Sequence, residues 1–250
     1  MNESIQVIPL INLVIAFLPA AVALFILIKW SLNATNAFYA LSRMLVQLLL
    51  IGYLLTFIFD SDSAVVVVTV LAIMVFSSSW IALGTVHQRR LSLFKHAFAA
   101  ILLGGGLTLL VITQGVLALS PWYWPQYMIP LAGMIFANAM NSVSLAAERI
   151  TSELNRGSEY LDARNIALQT SLIPVINSLF AVGLVSLPGM MTGQILSGVS
   201  PLIAVRYQIM VMCMIFASSV ICVALFLVFA KSLLEQGSSI NVTQDSNEKT

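Results

Sequence analysis

The chain has 250 residues, of which 60% are hydrophobic and only 8% are charged, and its formal net charge is +1. Soluble domains carry about 25% charged residues, so a chain this apolar cannot cover a globular surface and is expected to be an integral membrane protein. The near-zero net charge gives no reason to expect nucleic-acid binding.

Seven apolar stretches approach the length of about 20 residues that a helix needs to cross a bilayer. The sequence therefore predicts an all-α integral membrane protein with about seven transmembrane helices, built as one polytopic domain over residues 1–235. The predicted spans are Ile8–Ile28, Phe38–Phe59, Ala64–Val86, Ala97–Leu119, Tyr127–Ala147, Ser171–Leu187 and Tyr207–Ala230. The polar residues 236–250 are predicted to form a disordered cytoplasmic tail.

The positions of lysine and arginine predict the orientation, because these residues concentrate in cytoplasmic loops. The arginine-containing segments HQRRLSLFKH and ERITSELNRGSEYLDAR follow the third and the fifth span. The aromatic turn SPWYWPQY lies on the opposite side and is typical of an interfacial belt. We therefore expect the N-terminus outside and the C-terminus in the cytoplasm. The N-terminus lacks a positive n-region, which favours a retained span over a signal peptide.

No energy source is visible in the sequence. Ion-coupled carriers keep ionisable residues within their spans, whereas the predicted span centres here are nearly free of charge. ATP hydrolysis needs a glycine-rich loop ending in Gly-Lys-Ser/Thr, and neither Lys231 nor Lys249 follows such a loop. The chain is therefore not expected to be an enzyme or to bind a cofactor, and any driving energy would come from another subunit.

The segment after the fifth span predicts a projecting cytoplasmic helical hairpin. There is no proline or glycine from Ala137 to Arg156, so this helix should continue past the membrane by about 8 residues. Gly157 suits the position after the helix end, and Ser158 suits the N-cap of the next helix. A plain solvated hairpin and a docking element for a cytosolic partner are both compatible with this pattern. The expected docking residues are Glu148, Arg149, Glu153, Arg156, Gly157, Glu159, Asp162 and Arg164.

Polar side chains in the fifth span mark a second candidate site. Asn138, Asn141 and Ser142 need hydrogen-bond partners or a wet cavity at membrane depth. Bonds between helices and the lining of a translocation path both remain open. In the fourth span, Gly104–Gly106 predicts close helix packing.

The stretch SLPGMMTGQILSG breaks the chain before the last span. Pro188 and Gly189 are expected to end the sixth helix, and Gly193 and Gly198 to permit further bends. We interpret the stretch as an outer re-entrant turn or gate, with a plain external loop as the alternative. Its methionines are either soft ligands or apolar packing residues, and the metal ligands, if any, are unknown. The candidate gate residues are Pro188, Gly189, Met190, Met191, Thr192, Gly193 and Gln194.

Two segments, Met128–Ile150 and Leu184–Met212, resemble the FetB-type family of ABC permeases, which are bacterial iron-export permeases related to plant aluminium-tolerance membrane proteins. The second contains the long ungapped pattern PGMMTGQIL–G–P–A–RYQI. The resemblance covers most of the chain. It implies a homodimeric permease in the lipid of the bacterial inner membrane that exports iron, with roles in metal homeostasis and oxidative-stress resistance. The driving ATP and Mg would be used by a separate cytosolic ABC ATPase subunit.

Two other function classes remain open on the sequence. A passive channel or carrier for another small solute would give flux without the ATPase. A membrane scaffold that recruits a cytosolic protein would bind its partner without any flux.

Overall fold

A computed structural model describes residues 8–61 and 63–235, which form helices and turns with an isolated bridge between Val182 and Ser186. The predicted tail, residues 236–250, lies outside the described residues. The helices are α1 (Leu10–Ile15), α2 (Phe17–Lys29), α3 (Ala34–Phe59), α4 (Ala64–Ala82), α5 (Arg90–Leu110), α6 (Pro125–Asn155), α7 (Tyr160–Ala181), α8 (Gly189–Leu196) and α9 (Pro201–Phe229). Short 3₁₀ turns cover Leu83–Thr85 and His87–Arg89, and a π-helix, Val111–Val116, follows α5.

Six helical segments within the described residues are long and apolar enough to cross a membrane, one fewer than predicted. They are Ile11–Lys29, Ala34–Phe59, Ala64–Thr85, His87–Val116, Pro125–Asn155 and Pro201–Phe229. The predicted sixth span, Ser171–Leu187, is not among them because α7 ends at Ala181 and its first half is polar. The apolar part of α7 covers about 11 residues or about 16 Å, against about 30 Å of hydrocarbon.

The described residues divide into two compact units. The first contains α1 to α3 together with Leu196–Gly198, and the second contains the rest. Within the first unit α2 packs against α3. Almost every side chain of these helices is exposed, so their apolar surfaces need lipid or other protein around them.

Helix α6 is the centre of the second unit and packs against α4, α5, α7 and α9. Its buried side chains recur every three or four residues, as in Ile135, Ala139, Val143 and Ala146, because a helix has about 3.6 residues per turn. These positions join Phe226 and other fully buried side chains of α9 in one apolar core.

Two of the three consecutive glycines of α5 give the close packing that the sequence predicts. A Cβ atom at Gly104 would lie 2.8 Å from Cys222 Sγ on α9, and one at Gly105 would lie 2.8 Å from the Phe136 ring on α6. These distances leave no room for a side chain, so α5 contacts both neighbours through bare backbone. A Cβ at Gly106 would meet nothing within 4 Å.

The basic turn between α4 and α5 lies at the same end of the second unit as the cytoplasmic part predicted for α6. Arg90 closes this turn, since its Nη2 and Nε donate to the Trp80 carbonyl at 2.6 and 3.1 Å. The guanidinium carbon also lies 3.9 Å from the Trp80 ring centroid, a cation–π contact. Thr85, beyond the end of α4, donates to the Ser144 carbonyl of α6 at 3.4 Å.

Candidate functional site

The α6–α7 hairpin extends beyond the end of α4. Thr85 meets α6 at Ser144, and α6 then continues for about 11 residues to Asn155, which is about 16 Å at 1.5 Å per residue. The turn that follows and the polar first half of α7 are therefore carried on the end of a buried helix. A force applied to this turn would act on the core of the second unit.

The turn itself departs from the prediction at one residue. Arg156 is the C-cap of α6, and Gly157 follows with φ +88°, a left-handed conformation that glycine adopts without strain. Ser158 was expected to cap α7, and that prediction is wrong because α7 begins after Glu159. The Ser158 hydroxyl instead donates to Glu153 Oε2 at 3.3 Å, so it closes α6.

Glu153 is buried and is not available as a surface recognition residue. Only 8% of its side chain is exposed, and its Oε1 lies 2.7 Å from Arg149 Nη2 and 3.4 Å from Arg156 Nη1. Because a buried carboxylate needs charged and hydrogen-bonding partners, the two arginines and Ser158 are held around it. We assign Glu153 the role of fixing the turn.

Tyr160 connects the start of α7 to the end of α9. Its side chain is buried and its hydroxyl donates to the Leu227 carbonyl, while Lys231 Nζ lies 5.5 Å from the ring centroid. Burial raises the pKa of Tyr160, a nearby Arg164 opposes this effect and Glu235 adds to it. The hydroxyl therefore stays protonated at neutral pH and keeps its role as a donor.

The remaining predicted docking residues are largely on the surface. Glu148, Arg156, Gly157, Glu159 and Asp162 are exposed, and Arg149 and Arg164 are half-buried. A cavity of about 390 Å³ lies beside them, between the hairpin turn and Lys231 at the end of α9.

A second polar cavity was not expected from the sequence. It measures about 300 Å³ and places His87, Gln88 and Arg89 beside Thr151 and Asn155 of α6. The only sequence signal was the basic segment HQRR, which served to predict orientation. In the folded chain this basic segment lies beside the end of α6 that leads into the hairpin.

The predicted path residues of α6 have different surroundings. The Asn138 amide donates to the Met134 carbonyl at 2.8 Å within its own helix. Ser142 is buried, whereas Asn141 is exposed. Asn138 thus satisfies a donor within its own helix, and the lining of a path by these three residues stays a prediction.

The predicted break begins earlier than the sequence indicated. Pro188 and Gly189 do not end the sixth helix, because α7 already ends at Ala181 and Gly183 follows with φ +83°. Gly189 and Gly193 lie within α8 as helical residues, so Gly193 makes no bend. Gly198, with φ +90°, does make the expected bend.

The candidate gate residues of α8 have different surroundings. Met190 is partly buried and packs against the apolar core. The Thr192 hydroxyl donates to the Pro188 carbonyl at 3.2 Å. Gln194 Oε1 is buried and has no hydrogen-bond partner among the described residues. The same described ranges contain no group of three His, Cys, Asp or Glu side chains that could hold a metal ion.

The turn after α7 combines satisfied backbone donors with exposed apolar side chains. The amides of Gly183, Leu184, Val185 and Ser186 all donate to carbonyls of Ala181 or Ser186 within the turn. Leu184 and Val185 are 90% and 85% exposed. Four backbone donors are thus satisfied within the turn, while its apolar side chains are left exposed.

Comparison with known proteins identifies relatives over most of the chain. A family described as "Uncharacterised protein family (UPF0014)" matches residues 10–234. A UPF0014 membrane protein of Synechocystis is 38% identical over 82% of this chain and 85% of its own length. The "Probable iron export permease protein FetB" of Escherichia coli is 34% identical over 83% of this chain and 85% of its own length.

The similarity extends to plants. The protein named ALUMINUM SENSITIVE 3 of Arabidopsis thaliana is 30% identical over 80% of this chain and 78% of its own length. No solved structure matches the chain.

Proposed function

Since the chain belongs to the UPF0014 family of multi-pass membrane proteins, we propose that it is the permease subunit of an ABC exporter that moves iron. A separate cytosolic ABC ATPase would supply the energy. The observation that carries this proposal is the similarity to the E. coli protein named as a probable iron export permease, along most of both chains. The helices of the second unit also support the proposal, because they form a bundle with a projecting polar hairpin. Such a hairpin suits a subunit that receives force from a soluble partner.

The ATPase would dock on the end of the second unit that carries the hairpin. The exposed acidic residues Glu148, Glu159 and Asp162 and the basic α4–α5 turn offer charges of both signs there. Charged rims of this kind steer association and fix the register of two proteins. The polar cavity beside Arg89 would accept part of the partner's surface.

Force would travel from the hairpin to the outer end of α9. The Tyr160 contact with Leu227 joins the hairpin to α9, and α9 is an unbroken helix of 29 residues back to Pro201. Its other end directly follows the segment 186–198 that we propose as the gate. A rigid helix with a glycine-containing turn at one end suits a hinged motion driven from the other.

The proposed topology has seven crossings, of which the sixth is made by α7 together with the segment that follows it. The apolar half of α7 would enter the membrane and the turn at Leu184 and Val185 would stay at membrane depth, where neighbouring protein would cover its polar groups, so that α8 forms the re-entrant part. The N-terminus is then outside and the C-terminus in the cytoplasm, which places the arginine-rich turns inside. The permease would act as a homodimer in the bacterial inner membrane.

Cysteine labelling tests this placement. In a background without the native cysteines, Val185→Cys should resist a membrane-impermeant maleimide in right-side-out and in inverted vesicles, because the turn is covered at membrane depth. Glu159→Cys should react only in inverted vesicles. Rapid labelling of Val185→Cys from one side would contradict the re-entrant placement. Labelling of Glu159→Cys in right-side-out vesicles would show that the orientation is the opposite of the one proposed.

Charge reversal tests the docking surface. The double variant Glu159→Lys, Asp162→Lys should lose permease-stimulated ATP hydrolysis and recovery of the complex, because both residues are exposed and lie on the hairpin. Asp60→Lys, an exposed acid after α3, is the matched control and should retain both. Unchanged ATP hydrolysis together with unchanged complex recovery would remove the hairpin from the coupling role.

A further inference from the structure

An apolar cavity of about 620 Å³ lies between α4, α5 and α6 of the second unit. All 13 residues that line it are uncharged. Thr113 is among them, but its hydroxyl already donates to the Leu109 carbonyl at 2.9 Å. The volume falls in the range of sites that hold small molecules, which are mostly apolar with a few polar groups.

The polar groups of this cavity lie at one end. Gln114 follows α5 in the π-helix and Trp122 lies in the turn before α6, whereas Val75, Leu102 and Phe136 line the opposite end. Both Gln114 and Trp122 therefore belong to the end of the bundle that carries the α5–α6 turn. An amphipathic molecule would place its polar part there and its apolar part among the three helices.

The depth of the cavity is about that of one leaflet. Twelve residues separate Leu102 from Gln114, and eight separate Met128 from Phe136, which correspond to about 18 and 12 Å along the helices. Half of the hydrocarbon core is about 15 Å. The cavity thus matches one acyl chain that enters from the leaflet on the side of Trp122.

The lipid of the bilayer can fill this apolar cavity, whereas water cannot. An ordered water molecule needs two or more polar partners, which the apolar end does not provide. An empty cavity would forfeit dispersion contacts along its walls. Val68, Leu102 and Leu110 on its rim are 50%, 45% and 59% exposed, so the cavity is open to the hydrocarbon around these spanning helices.

We propose that this cavity is a binding site for an acyl chain of a membrane phospholipid, with the lipid headgroup at the level of Gln114 and Trp122. The site is independent of the proposed iron transport and makes the wall of α4, α5 and α6 a lipid-binding surface. Gly106 is part of that wall, and the space in front of it belongs to the acyl chain.

The chain offers a matched pair of variants for the test. Gly106→Leu adds a side chain at the wall of the cavity, and its Cβ meets no protein atom because nothing lies within 4 Å of that position. Gly52→Leu makes the same change in α3, where a Cβ also has nothing within 4 Å and no cavity residue is involved. Ala72→Leu narrows the cavity from α4 as a second, independent variant.

Each full-length protein would be photolysed in phosphatidylethanolamine–phosphatidylglycerol nanodiscs that contain a phospholipid with a diazirine on one acyl chain. Labelled peptides would be mapped, and lipid retained after detergent extraction measured by native mass spectrometry. Wild type and Gly52→Leu should retain a phospholipid and carry the label on residues 102–136. Gly106→Leu and Ala72→Leu should lose the retained lipid, and this label should fall to the level of α2.

Three outcomes would overturn the proposal. Equal lipid retention and labelling in Gly106→Leu and in wild type would place the lipid elsewhere. Absence of label from residues 102–136 in wild type would mean that protein covers the cavity. A change of oligomeric mass in Gly106→Leu with unchanged lipid would assign the cavity to a second copy of the chain.

Discussion

The two ends of α7 are held in different ways. At its start, Tyr160 contacts α9, and the preceding turn closes on the buried Glu153 with its two arginines. At its end, the turn after Ala181 is held by backbone hydrogen bonds within the turn, and Leu184 and Val185 are almost fully exposed. The first end is fixed by buried side-chain contacts, of which the bond from Tyr160 to Leu227 is long-range, whereas the second is held by backbone bonds within the turn.

This difference suits the two roles that we propose. A docking surface transmits force only if its residues keep their positions relative to the core. A gate needs a segment whose conformation changes at small cost, and segments with few long-range contacts open more readily. Substitutions at the two ends should therefore differ in whether they reduce stability or flux.

The largest loss of stability is expected from Glu153→Ala. Removing the carboxylate leaves Arg149, Arg156 and Ser158 without their common partner, which should cost about 2 kcal/mol of unfolding free energy in mixed micelles. Glu148→Ala, on the exposed face of the same helix, should change it by less than about 0.5 kcal/mol. Equal effects of the two substitutions would show that the docking end is not fixed by Glu153.

Tyr160→Phe should cost less, about 1.5 kcal/mol, because it removes one hydrogen bond from a buried contact. The ring remains packed below Lys231, so the fold should survive. If this contact transmits force, flux per ATP hydrolysed should fall in the variant while ATPase binding persists. A variant with full stability and an unchanged ratio of flux to hydrolysis would remove Tyr160 from the connection.

Gly183→Ala should cost about 1 kcal/mol, because φ +83° strains any residue with a Cβ. Its effect stays small because nothing lies within 4 Å of the added atom. Thermal unfolding in detergent would measure it. A loss of unfolding free energy as large as that of Glu153→Ala would mean that the turn has long-range contacts. The two ends of α7 would then not differ in the way described.

The smallest effect on stability is expected from the double variant Gly189→Ala, Gly193→Ala. Both glycines are helical and have free space at the Cβ position, and alanine is the better helix former. The variant should therefore unfold no more readily than wild type, while its ATP-driven flux falls because α8 becomes stiffer. Wild-type flux would contradict the gate proposal.

Much of this architecture could be predicted from the sequence, because apolar length and helix periodicity are local properties. Six of the seven predicted spans overlap the membrane-spanning helices of the described residues, and Gly157 has the left-handed backbone conformation expected of a glycine after a helix end. The end of α7 was misplaced by several residues, since Val182 to Leu187 are nearly all apolar and composition alone does not show a turn. The turn is formed by hydrogen bonds from these amides to the carbonyls of Ala181 and Ser186.

The candidate site was less predictable for a related reason. Glu153 reads as a surface charge on a polar helix, and its burial depends on the packing of α6 against neighbours far away in sequence. Tyr160 gives no sequence signal of a distant partner, and its bond to Leu227 joins positions 67 residues apart. The neighbourhood of Arg89 and Asn155 likewise exists only after the bundle has formed.

The central claim is that a separate ATPase drives iron export through this permease. It is tested most directly by iron flux in proteoliposomes that contain the permease, with and without a candidate ABC ATPase from the same cell. We predict flux that requires both proteins and ATP and that is lost in Glu159→Lys, Asp162→Lys but retained in Asp60→Lys. Iron flux that proceeds equally without the ATPase would contradict the claim and identify a passive channel or carrier.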